Sequence, residues 1–125
     1  KVVSIALDGT ISDVGTGLTM VVDVETGPDG QLYATQLSTD FLSQPPAAGS
    51  VVRVLGDGTQ EVVVDGLMFP NGITFDQDGN LLVAVGTATG PGNGMLLRCE
   101  GIAQPAASGE GEVVVALKDV FFRPV

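Results

Sequence analysis

Apolar residues run along this chain in short clusters, each the length of a strand and each separated from the next by a segment that contains glycine. The runs fall at residues 2–7, 11–14, 22–25 and 32–37, and again at 50–55, 60–64, 72–75 and 81–85. None has the spacing of an amphipathic helix, and valine leads the apolar set, which favours extended backbone. Asp8-Gly9, Asp29-Gly30, Asp57-Gly58 and Asp78-Gly79 separate the runs. Such pairs suit tight hairpin turns, because glycine accepts positive φ. The pattern predicts an all-β chain of antiparallel strands.

The two sets of runs are copies of each other. A shift that lays Val2-Val3 on Val51-Val52 also lays Asp8-Gly9-Thr10 on Asp57-Gly58-Thr59 and Gly17-Leu18 on Gly66-Leu67. The same shift lays Asp29-Gly30-Gln31-Leu32 on Asp78-Gly79-Asn80-Leu81, with no gap. A third copy begins at Gly94-Met95-Leu96-Leu97-Arg98, and Glu112-Val113-Val114-Val115 repeats Glu61-Val62-Val63-Val64. A four-stranded unit repeated at this period predicts β-propeller blades, about two and a half of them in one propeller-like domain. Phased from its first strand, the repeat puts a blade at 1–37, a linker at 38–49, a second blade at 50–86 and a partial third at 94–125. Residues 101–111, rich in Ala, Gly, Pro and Ser, read as an exposed loop within the third.

Composition narrows the function classes. The formal net charge is −10, with only five basic residues. Nucleic acid is therefore excluded as a natural partner, since binding requires Lys and Arg to neutralise phosphates. No run approaches the length of a membrane span. The single cysteine, Cys99, forms no intrachain disulfide and reads as a small buried hydrophobe. The chain has no histidine, so most acid–base and nucleophilic schemes lack their usual base.

Residues 49–85, GSVVRVLGDGTQEVVVDGLMFPNGITFDQDGNLLVAV, resemble one repeat of the ScyD/ScyE family. These are β-propeller proteins named for the scytonemin sunscreen pathway of cyanobacteria. The same rhythm of Asp-Gly, Pro-x-Gly and Asp-x-Asp-Gly is shared with NHL-repeat and gluconolactonase-like propellers. The ScyD/ScyE resemblance implies a propeller and little chemistry. In gluconolactonase-like propellers a Pro-Asn-Gly turn brings an asparagine to a central metal, and Pro70-Asn71-Gly72 matches that turn. The resemblance thus implies Asn71 as a ligand for calcium or a similar hard cation, with Asp23 beside the equivalent position, Val22, in the first copy. The family's acidic ligand in an early Glu-Gly-Pro turn has no counterpart. The simpler expectation is that Asn71-Gly72 only forms a turn and that no cofactor is bound. Asp23 and Glu25 alternate onto one strand face, where an ordinary solvated face is the simpler reading.

So few blades cannot close a ring, and each repeat buries its face mainly against the next. The expectation is a non-enzymatic interaction subunit whose open faces rest on another protein or on further copies of itself. Phe41 and Leu42 in the proline-bearing linker either fold back on the blade, the preferred expectation, or anchor a partner. Phe121 and Phe122 are a second apolar candidate for docking. If the relatives are phototrophs, an accessory place at the periphery of a photosynthetic membrane complex, near the thylakoid, follows; otherwise an extracytoplasmic location does. The alternative function is a fragment of a metal-dependent lactonase or esterase.

Overall fold

The computed structural model describes residues 1–105 in full and the backbone of residues 122–124. Among these residues every regular element is a strand. They are β1 (Val2–Ile5), β2 (Ile11–Gly15), β3 (Val21–Thr26), β4 (Leu32–Gln36), β5 (Gly49–Val54), β6 (Gln60–Leu67), β7 (Ile73–Phe75), β8 (Leu81–Val85), β9 (Met95–Cys99) and β10 (Phe122–Pro124). All neighbours pair antiparallel. The predicted strands therefore sit where alternation placed them, to within a residue or two for most ends.

The sheets divide at a different point from the sequence repeat. One four-stranded sheet is β3-β4-β5-β6, a second is β7-β8-β9-β10, and β1-β2 form a two-stranded sheet. The expected blade at 1–37 is thus split after β2, and the expected linker lies inside a blade, joining β4 to β5. A repeat has no natural first strand, so its phase must come from hydrogen bonding. Here the ladder runs from β4 to β5, with Ala34 opposite Val52 and Gln36 opposite Ser50. The connecting loop is itself tied down, Thr39 N–H donating to Ala48 O and Ala47 N–H to Asp40 O. At the far end β10 pairs with β9, so residues 122–124 form the outer strand of the second four-stranded sheet. The predicted strand at 112–115 and most of the predicted loop at 101–111 lie outside the described residues.

The backbone confirms the repeat independently of side chains. Gly9 and Gly58 have φ of 87° and 83°, and Gly17 and Gly66 have 71° and 73°. Two non-glycine residues, Met20 and Phe69, share a φ of 43° at equivalent positions, just before β3 and β7. Left-handed backbone costs an ordinary side chain about 1–2 kcal/mol, so its recurrence marks a loop shape the blade requires.

The main core lies between the two four-stranded sheets. Tyr33, Val51, Val63, Val64 and Leu67 from the first pack against Ile73, Leu81, Val83, Val85 and Cys99 from the second. Full burial of each aliphatic side chain contributes about 1.5–3 kcal/mol. Tyr33 is the centre of this layer. Its ring meets Phe75 at 4.8 Å between centroids, and its hydroxyl donates to Asp29 Oδ2 at 2.7 Å. A smaller core, Ala34, Val52 and Val54 with Val2 and Leu18 against it, joins the first four-stranded sheet to β1-β2.

Candidate functional site

The first strands of the two large sheets, β3 and β7, lie side by side, and both start with a bulge. In β3 the register shifts between Val21 and Asp23, leaving Val22 as the extra residue. Before β7, Asn71 N–H donates to Ala84 O while Ala84 N–H donates to Gly72 O, so residues 71 and 72 together oppose Ala84. Bulges re-aim side chains and often border functional sites. Val22 and Asn71 thus occupy the same structural position, as their sequence alignment implies.

Across this junction Asp23 reaches from β3 to β7. Its Oδ2 accepts the Ile73 N–H at 2.8 Å, and its Oδ1 accepts the Val24 N–H at 2.9 Å. Oδ2 also lies 3.7 Å from where a Cβ on Gly72 would sit. The structure therefore brings Asp23 to the Asn71-Gly72 turn, although fifty positions separate Asp23 from Ile73. Both carboxylate oxygens are engaged by backbone donors, which makes Asp23 a strut between blades. Asn71 is exposed, and its side-chain amide makes no hydrogen bond among the described residues. Glu25 shares the half-buried face of β3 with Asp23.

Asn71 and Asp23 are oxygen donors of the kind a hard cation takes, but such a cation takes six to eight. Among the described residues no three of His, Cys, Asp or Glu converge on a point. Asp23 and Asn71 supply only part of the donor set that such a cation takes.

The repeated carboxylates are explained locally. Asp8 Oδ1 accepts the Thr10 N–H, Asp29 Oδ1 the Gln31 N–H, and Asp57 Oδ1 both the N–H and the hydroxyl of Thr59. The backbone hydrogen bond from Thr10 holds the Asp8 carboxyl below its usual range, and the Thr59 hydroxyl does the same for Asp57. The fourth turn departs from the expected pattern. There Asp76, not Asp78, organises the chain, accepting from the N–H groups of Asp78 and Asn80 and from the Asn80 amide. Arg98 completes this cluster at 3.0 Å. The Asn80 hydrogen bonds, first that of its side chain, bring the Asp76 carboxyl down to about 2. Sequence reading missed Asp76 because its repeat equivalent is Gly27, which serves the Asp29-Gly30 turn through backbone alone.

Cys99 is fully buried, and burial pushes its thiol up to about 11. It is a core residue, as expected. Phe41 and Leu42 do not fold back, being 47% and 88% exposed. The linker that carries them is held by its own hydrogen bonds, so it gains little by tucking them in. Phe121 lies outside the described residues, and of Phe122 only the backbone is described. No helix among the described residues is long and apolar enough to cross a membrane.

Comparison with known proteins adds one finding. The family profile described as SMP-30/Gluconolactonase/LRE-like region matches residues 11–119, most of the chain. No curated protein and no solved structure gives a match. That family is built on β-propellers, in accord with the antiparallel four-stranded sheets and the repeated backbone. The chain belongs to the SMP-30/gluconolactonase/LRE-like family.

Proposed function

We propose that this chain acts as a non-enzymatic interaction subunit that docks on a partner protein or a larger complex. One observation carries the reading: at the junction where a propeller would place its chemistry, Asp23 is committed to two backbone N–H groups as an inter-blade strut. The absence of histidine removes the commonest general base, and the buried Cys99 thiol is far from reactive. Exposed apolar side chains supply docking surface instead, among them Leu42, Phe41 and the outward face of β3. The resemblance to ScyD/ScyE proteins supports the same reading, with an accessory place on a photosynthetic membrane complex, or an extracytoplasmic one, as its setting. Cross-linking in the native preparation tests it. Cross-links from the 38–48 loop or β1–β3 to a second protein are expected, and their absence, with a cooperative monomer by sedimentation and calorimetry, contradicts it.

The family match and the approach of Asp23 to Asn71 favour a second reading, a metal-dependent lactonase-type fragment. It requires calcium or zinc binding that is lost in Asn71→Ala. Calorimetric titration showing no heat, or heat unchanged in the variant, removes it.

A further inference from the structure

The chain has three asparagines, and their surroundings differ. Asn80 is buried, and its amide donates to both carboxylate oxygens of Asp76. Asn71 and Asn93 are exposed, each is followed by glycine, and neither side-chain amide makes a hydrogen bond among the described residues. An asparagine before glycine is chemically frail, because the glycine has no Cβ to screen its nitrogen from the asparagine amide carbon. At Asn71 the bulge adds a second condition. Ala84 takes the Asn71 N–H and the Gly72 O, and Asp23 Oδ2 takes the Ile73 N–H. Between them the Gly72 N–H has no acceptor among the described residues. The bulge thus turns one backbone nitrogen out of the ladder, next to a free side-chain amide. A Cβ on Gly72 would meet only Asp23 Oδ2, at 3.7 Å, so the backbone there is not crowded. Asn93-Gly94 shares the motif but not the setting, since the Asn93 N–H goes to Gly90 O within its own loop.

From these observations we infer that Asn71-Gly72 is a self-modification site, at which deamidation loosens the joint between the two four-stranded sheets. The Gly72 nitrogen attacks Cγ of Asn71. A new N–C bond closes a cyclic imide, and the Cγ–Nδ2 bond breaks. The proton that Gly72 gives up passes through solvent to Nδ2, which leaves as ammonia. Water then opens the imide at either carbonyl, leaving aspartate or isoaspartate at position 71. Water is the only co-reactant, and no atom changes oxidation state. Both products act on the Asp23 strut. Aspartate sets a second negative charge close to the Asp23 carboxylate, and like charges at short range repel. Isoaspartate lengthens the backbone by one carbon within the bulge, which shifts Gly72 away from Ala84 and Ile73 away from Asp23. The inference requires no partner and stands apart from the docking role proposed above.

The test uses the full chain carrying Asn93→Ser, which leaves a single Asn-Gly pair, incubated in mildly alkaline buffer. Peptide mass spectrometry with isoaspartate labelling is expected to find position 71 converting at least tenfold faster than Asn80. Adding Gly72→Ala, for which the site has room, is expected to slow that conversion at least tenfold with an unchanged circular dichroism spectrum. In the converted chain, amide exchange at Ile73 is expected to quicken by about tenfold or more, as the loss of one hydrogen bond to a charged acceptor requires. Conversion at position 71 no faster than at Asn80, or unaltered by Gly72→Ala, overturns the inference. Conversion that leaves Ile73 exchange unchanged overturns it too, since the joint then survives the modification.

Discussion

Val24 and Ile73 hold the same place in the repeat, yet Val24 is 41% exposed and Ile73 only 7%. The difference lies in their neighbours. Ile73 faces a complete four-stranded sheet, where Val51, Val64 and Tyr33 close over it. Val24 faces β1-β2, two strands that reach only the outer part of the blade, and a cavity opens where inner strands would lie. Identical repeat positions thus become core or surface according to how much sheet stands opposite. In a repeat protein burial belongs to the interface between units more than to the unit.

The comparison can be broken most severely at the main core. Tyr33→Ala removes a buried ring and its hydrogen bond to Asp29, and is expected to cost about 3–5 kcal/mol. Leu81→Ala costs about 2–5 kcal/mol by the same reasoning. In the smaller interface Val2→Ala, at a half-buried side chain packed against the smaller core, is expected to cost less than about 1.5 kcal/mol. Urea denaturation of the three variants checks the ordering, and a cost at Val2 equal to that at Leu81 would show that the two interfaces are alike.

Next in size is the strut. Asp23→Ala leaves the N–H of the buried Ile73 without its acceptor, at a cost of about 1–3 kcal/mol. If Asp23 served only as a ligand, the same variant would lose metal binding and keep its melting temperature.

A pH effect follows from Asp76. Its carboxyl sits near 2 when folded and at the model-peptide value of 3.8 when unfolded. The folded state therefore favours the ionised form. This contribution is fully present above the unfolded value and is lost as pH falls through about 2. Acid titration of Asp76→Asn should lose less stability across that window than the parent chain, and parallel curves would remove the effect.

The smallest effect expected is at the left-handed residues. Met20→Gly relieves the strain of a φ of 43° but loosens the unfolded chain, leaving a net gain below about 1 kcal/mol. Thermal melts of Met20→Gly beside Phe69→Gly sharpen the comparison, since Phe69 is the more buried of the two and has packing to lose.

Alternation and Asp-Gly turns made the strands legible, because each reports on backbone conformation within a few residues. The sheet boundaries were not legible. Nothing local distinguishes β2 to β3 from β4 to β5, and only the β4-β5 ladder chooses. The Asp23–Ile73 bond joins two repeats and leaves no mark at short range. The Val22–Asn71 equivalence was readable by alignment, while the bulge that gives it meaning was not. Asp76 escaped notice for the opposite reason, being the one turn acid that breaks the repeat. Leu42 was misjudged because apolar character in a loop does not say whether a surface stands near enough to cover it.

Native-state amide exchange on the isolated chain tests the central claim most directly. The account predicts that β4, β5 and β8 exchange only through the largest opening, while β1 and β2 open separately and at least tenfold more often. A single opening, with β1-β2 protected as strongly as the main core, would contradict it.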